Sequence, residues 1–147
     1  MRLTSPAFVA DNSIPSKYTC DGDDLVPPLT IDDAPAEAAS FVMVMDDPDS
    51  PSGDWLHWLA YDIPGGTRQI LEGQEVGTQG LNSWNRTGYG GPCPGQGEHR
   101  YVFRLYALDK TLGLPPGARR PDVERAMTGA VLAETTLMGK YIKMGNR

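Results

Sequence analysis

From residue 99 onward the odd positions are His99, Tyr101, Phe103, Leu105 and Ala107, and the even ones include Arg100 and Arg104. Alternation of this kind puts the odd side chains on one face of a β-strand, so His99 and Tyr101 point the same way. The same count around His57 gives Trp55, His57, Leu59, Tyr61 and Ile63, on a run closed by Pro64-Gly65-Gly66. Ser40 to Met45 (SFVMVM) is continuously apolar, which predicts a central strand covered on both faces. It leads into the acidic turn Asp47-Pro48-Asp49. Thr135 to Met144 predicts a last strand. Val123, Ala126, Met127, Ala130 and Val131 recur at helical spacing, behind Pro121 and the acidic Asp122 and Glu124. This predicts one amphipathic helix over 121–133, with Gly129 as its weak point. Residues 1–35 hold five prolines and should be extended. One or two short strands are expected there, with turns at Asp11-Asn12 and Asp21-Gly22. Residues 64–98 lack periodicity and predict a long loop region with room for one short strand.

Composition narrows this picture to a mainly β single domain over 1–147 with one helix at its edge. Glycine (17) and proline (13) are abundant without a repeat in the 147 residues, which favours turns over a helix bundle. The apolar fraction of 39 % is enough for a core. Net charge is −6 with no Lys/Arg run, which argues against nucleic acid and anionic membrane surfaces as bulk partners. A local site can still oppose that field and hold one anion. No run approaches the roughly 20 apolar residues of a membrane span, and no leader-like apolar stretch opens the chain. The expectation is a cytoplasmic protein, in which Cys20 and Cys93 would be two reduced thiols rather than a bridge. The spacing itself leaves both open.

The candidate chemistry lies in two stretches, 46–62 and 88–109. Each holds one of the two histidines, and each carries a turn-rich segment. A lone strand histidine is more often structural than functional, but two in similar settings point to a shared site. Asp46, Asp47 and Asp49 can cap a turn through their side chains. Alternatively, one carboxylate can orient a histidine, fix its tautomer and favour its charged form. The Gly90–Gly97 loop lacks a phosphate-loop ending and precedes a strand, so any anion nest there is small. Three enzyme readings compete weakly. Two histidines and an aspartate could bind a metal, although neither a HExxH pattern nor a close histidine pair is present. Ser50, Ser52 or Ser83 could serve a hydrolase, without a GxSxG elbow. Cys93 beside His99 could be a thiol nucleophile. No nucleophile, base and orienter assemble from recognised spacing, so a binding protein without metal, cofactor or catalysis is expected.

At these residues the chain resembles the phosphatidylethanolamine-binding proteins, also called Raf kinase inhibitor proteins, in their short bacterial and archaeal branch. One signature reads Asp47-Pro48-Asp49-Ser50-Pro51, then Trp55-Leu56-His57. The other reads Gly90-Gly91-Pro92-Cys93-Pro94, then Gly97-Glu98-His99-Arg100-Tyr101. Leu3 to Phe8, Tyr18 to Gly22, Pro27-Pro28-Leu29 and Leu132-Ala133-Glu134 also match, while Val26 and Asn82 to Arg86 depart from the usual pattern. The resemblance implies two antiparallel sheets with Greek-key connections, and a small pocket for phosphate or a phosphoryl-ethanolamine headgroup. Its residues would be Asp47, His57, His99 and Tyr101, with Asp49 and Pro51 shaping the rim and the backbone of Gly91, Pro92 and Cys93 forming the floor. It also implies a pocket without the covering C-terminal helix of mammalian members. A protease or a kinase are the protein partners it raises, and it leaves a homodimer open. A small hydrolase, metal- or His/Cys-dependent, using the same histidines and aspartate is the alternative.

Overall fold

The structure is a computed structural model that describes residues 1–143. Its strands are β1 (Arg2–Thr4), β2 (Leu29–Asp32), β3 (Ser40–Asp47), β4 (Trp55–Pro64), β5 (Gln69–Ile70), β6 (Thr78–Gln79), β7 (Glu98–Leu108) and β8 (Val131–Ile142). A helix, α1 (Arg120–Met127), lies between the last two strands. The strands form two antiparallel sheets, ordered β1-β2-β5 and β6-β4-β3-β7-β8. Within the larger sheet β3, β4 and β6 lie side by side, and the chain returns to place β7 on the far side of β3. That order is a Greek key.

Two apolar layers flank the larger sheet. Between the sheets, Leu3, Leu29, Ile31 and Ile70 meet Phe41, Met43, Met45, Trp58, Phe103 and Leu105. On the other face Val42, Val44, Leu59 and Tyr61 pack against Val123, Met127 and Ala130. Because both faces of β3 are covered, all eight of its residues are buried, which is why this strand reads as an unbroken apolar run. The strand is longer than the apolar run and carries Asp46 and Asp47 at its end.

Strict alternation fails along β4, and the reason is register. Met45 faces Trp58 while Asp46 faces Leu56, so His57 is an extra residue in the ladder. A second shift lies between Phe41↔Ile63 and Met43↔Ala60. Each bulge puts neighbouring residues on the same side of the sheet. His57 therefore shares a face with Trp58 and Ile63, while Leu59 and Tyr61 belong to the helix-side layer.

Two expected boundaries also move. The helix ends at Met127 rather than 133, because Thr128 leaves helical geometry and Gly129 sits at φ 78°, where a side chain would be strained. Val131, counted on a helix face from its spacing, instead opens β8 and is 42 % exposed. The last strand therefore starts four residues earlier than 135, and the expected end at Met144 lies outside the described residues. The 64–98 region holds two strands, β5 and β6, of two residues each. Among the described residues no helix is long and apolar enough to cross a membrane.

Candidate functional site

The end of β3 sends two adjacent carboxylates to opposite faces. Asp46 turns to the helix side, fully buried, where Arg104 and Arg120 hold it. Asp47 turns to the other side, where its Oδ2 lies 2.7 Å from Nδ1 of His99 and its Oδ1 accepts the Asp49 N–H at 2.8 Å. A carboxylate can only accept in its ionised form, so the Nδ1 proton of His99 is fixed on that side of the ring. The second bond is an Asx turn, which explains why Asp-Pro-Asp follows the strand.

His57 is held in a matching way by a different partner. Its Nδ1 lies 2.7 Å from the Gly90 carbonyl oxygen, and its own carbonyl accepts the Gly90 N–H at 3.0 Å. A carbonyl oxygen cannot donate, so His57 also carries its proton on Nδ1 when neutral. Gly90 can approach this closely because it has no side chain: a Cβ there would lie 2.3 Å from Cζ3 of Trp84. Trp84 in turn meets the His57 ring edge-on at 5.0 Å, and Trp55 flanks Trp84 at 5.6 Å. Tyr101 stands between the histidines, 5.2 Å from His57 and stacked on His99 at 6.4 Å.

These side chains surround one cavity of about 250 Å³. Asp47, Pro51, His57, Cys93, His99 and Tyr101 all line it. Asp49, Gly91 and Pro92 do not, and stand one layer back. The Asp49 carboxylate takes a two-pronged bond from the Arg100 guanidinium and a third bond from the Arg100 N–H. It thereby ties the turn carrying Ser50 and Pro51 to β7. Arg100 holds Asp49 well below the usual carboxylate range, at about 2. The Gly91 N–H donates to Asp24, and the Pro92 carbonyl accepts from Cys20 N–H. Trp55, Trp84, Ser50, Ser52, Pro94 and Gly95 complete the wall. Trp84 was not among the expected site residues. Its one sequence signal is a large aromatic inside the polar stretch Asn82 to Arg86. There Asn82 Oδ1 accepts the N–H groups of Trp84 and Arg86 and shapes the loop. Of the serines considered as nucleophiles, Ser83 is spent accepting the Leu56 N–H, whereas Ser50 and Ser52 bond each other at the cavity rim.

The cysteines correct an expectation. Cys20 and Cys93 form a disulfide, with their Cα atoms 5.5 Å apart across 73 positions of sequence. Cys93 brings that bond to the cavity wall, so its sulfur is not the free thiol that a nucleophile beside His99 requires. The Cys20–Pro92 and Gly91–Asp24 hydrogen bonds, together with Tyr89 Oη donating to the Tyr18 carbonyl, hold the same two segments side by side. Such tertiary proximity is invisible to spacing.

The polar balance of the cavity is uneven. The hydroxyl of Tyr101 is a buried polar atom with no hydrogen-bond partner, and Tyr101 is 0 % exposed. Burial first, and the Asp47 charge second, push its phenol far above the ordinary range, against the smaller opposing pull of the Cys93 N–H on its oxygen, so it is an O–H donor at any ordinary pH. Burial also lowers the pKa of His57 from 6.5, against the smaller opposing pull of the Gly90 carbonyl and Asp47. This has a consequence for stability. Between 6.5 and the lower folded value, the unfolded chain holds more protons at this residue than the folded one. Stability from this residue is thus present above about pH 6.5 and lost as pH falls through the folded value. Urea unfolding between about pH 8 and pH 5 should show this loss, and a folded His57→Gln variant should show less of it. An equal loss in both would assign the step to other groups.

A β-sandwich with a small pocket of histidines, tyrosine and aspartate at one end of its larger sheet is the class that these observations define. The chain belongs to the phosphatidylethanolamine-binding protein family, whose profile matches residues 4–142. It is 48% identical over 150 residues to a UPF0098 protein of Aquifex aeolicus, covering 96% of this chain and 88% of that one. It is 46% identical to a UPF0098 protein of Methanothermobacter thermautotrophicus, covering 96% and 98%. The crystal structure of a putative phosphatidylethanolamine-binding protein homolog from Chlamydia trachomatis superposes with a TM-score of 0.93 at 40% identity, covering 96% of each chain. Escherichia coli YbcL shares the fold, with a TM-score of 0.86 at 24% identity over 97% of this chain and 98% of that one.

Proposed function

We propose that this chain is a non-catalytic binding protein whose pocket takes a small phosphate-bearing anion, such as phosphate or phosphoryl-ethanolamine. The observation that carries this reading is the Tyr101 hydroxyl. Leaving a buried donor unpaired costs free energy, roughly 1–3 kcal/mol. Tyr101 lines the cavity, and its buried O–H, which has no protein acceptor, is therefore explained by an acceptor atom that arrives with a ligand. The cavity volume of about 250 Å³ suits a headgroup rather than a whole lipid. Two tryptophans give it an apolar side, and two imidazoles and a phenol give it a polar one.

Calorimetric titration with inorganic phosphate and phosphoryl-ethanolamine tests the reading, with Tyr101→Phe as the decisive variant. Removing the hydroxyl should weaken binding by about 0.5–1.5 kcal/mol, or up to about 3 if it meets a charged oxygen. The unliganded fold should lose little stability, because the hydroxyl donates to no protein group there. Unchanged affinity in a folded Tyr101→Phe protein would remove the hydroxyl from the site. Arg100→Lys is unsuitable as a neutral control, because Arg100 anchors Asp49 and the turn behind Pro51. Arg2→Lys, on the smaller sheet, serves instead.

A second reading has one observation in its favour. The Asp47–His99 pair opens onto a cavity that Ser50 and Ser52 also line, the parts of a hydrolytic triad. Turnover in an esterase or phosphatase screen, abolished by His99→Ala, would replace binding with catalysis.

A further inference from the structure

The pocket holds an acceptor that an ordinary anion site would not. Nδ1 of His57 is committed to the Gly90 carbonyl, so a neutral ring presents Nε2 as a lone pair. No hydrogen bond of that atom to protein exists among the described residues, and His57 lines the cavity. Its surroundings keep the ring neutral: it is 3 % exposed, between Trp84 and Tyr101, and burial disfavours its charge. The titratable groups facing it are Asp47 from β3, His99 and Tyr101 from β7, and Asp24 from the N-terminal segment. None of these is a fixed cation. The ring of Tyr101, whose buried O–H has no protein acceptor, stands 5.2 Å from this imidazole.

A ligand oxygen that accepts from Tyr101 is matched only if another atom of the ligand donates to His57. We propose that the pocket selects oxyanions that still carry a proton, so that free phosphate and protonated phosphomonoesters bind while sulfate and phosphodiesters are excluded. This rests on the anion-pocket reading above and narrows it. Sulfate is fully deprotonated in neutral water and can only accept. A phosphodiester has no P–OH either, so the intact headgroup linkage of a diacyl phospholipid falls on the excluded side. A phosphomonoester keeps its P–OH below its second pKa, about 6, and inorganic phosphate keeps one proton throughout the neutral range. Leaving the imidazole lone pair against an acceptor oxygen should weaken binding about tenfold or more.

The test is calorimetry on the wild-type protein with four probes: inorganic phosphate, methyl phosphate, glycerophosphoethanolamine and sulfate. At about pH 7 phosphate should bind about tenfold or more tighter than sulfate and the diester. Raising the pH from about 5 to about 8 should weaken methyl phosphate much more than inorganic phosphate, because only the ester loses its last proton. Phosphate and sulfate binding with similar affinity would overturn this selectivity and leave the anion pocket standing. Sulfate gaining in parallel with phosphate at about pH 5 would do the same, by showing that an imidazolium supplies the proton. A diester that binds as tightly as phosphate would overturn the exclusion of lipid headgroups. No binding by any probe would overturn both readings.

Discussion

Replacing Cys20 and Cys93 together by serine is expected to lower the free energy of unfolding by about 4 kcal/mol. The bond closes a loop of 73 positions, and the chain-entropy relation gives about that value for a loop of this length. Most of the effect arises in the unfolded chain, which gains freedom once the N-terminal segment is no longer tied to the pocket loop. The urea dependence should therefore steepen, since a less compact unfolded state exposes more surface. The native arrangement should change little. Gly91 still donates to Asp24, Cys20 N–H is a backbone group that serine retains, and Tyr89 still reaches the Tyr18 carbonyl. Anion affinity should consequently fall far less than stability. A loss of stability below about 1 kcal/mol would show that the unfolded chain is not the state the bond restrains.

Asp46→Ala is expected to cost about 3 kcal/mol of stability, although the residue touches no ligand. The Asp46 carboxylate is fully buried and joins three elements. Arg104 of β7 holds it from the same sheet, and Arg120 holds it from the start of α1. Removing a buried ion's partner leaves charge without compensation, typically at 3–5 kcal/mol. The lower end applies here for two reasons. Both arginine side chains reach solvent, at 32% and 24% relative exposure, and Arg120 keeps Asp54 and Glu124 as partners. The loss should centre on the helix-side layer, where Val123 and Met127 pack. Asp47 lies on the opposite face, so the His99 contact and phosphate binding should survive. Chemical denaturation of the folded variant, together with phosphate calorimetry, separates the two effects. A variant with wild-type stability and lost binding would place Asp46 in the site and contradict this geometry.

The strands of the larger sheet were the most legible part of the chain. β3 shows as an apolar run because two layers cover it. The odd positions of β7 show as an alternating face because its register with β3 is unbroken from Ser40↔Leu108 to Asp46↔Val102. Along β4, plain alternation gives the wrong faces. Its two bulges carry no sequence mark at His57 or near Asp62, since a bulge is a property of the pair of strands and not of one. The helix was legible in its first turns, through Pro121, Asp122 and Val123, and misread at its end. Ala130 and Val131 continue a helical pattern that Gly129 interrupts. The adjacent carboxylates show the same boundary. Asp46 and Asp47 look alike in sequence, and only the strand's pleat sends one to two arginines and the other to a histidine.

What the amino-acid sequence determined by itself is local or cumulative: which runs alternate, where turns must fall, and the low helix content. Through its paired motifs it also determined the family and the cluster of Asp47, His57, His99 and Tyr101. What only the tertiary structure decided depends on groups far apart in the chain. The Cys20–Cys93 bond, Trp84 against His57, and Arg100 clamping Asp49 are all of this kind. The protonation of His57 belongs there too. A histidine's ring type is written in the sequence, but its tautomer follows from a carbonyl 33 positions away that can only accept.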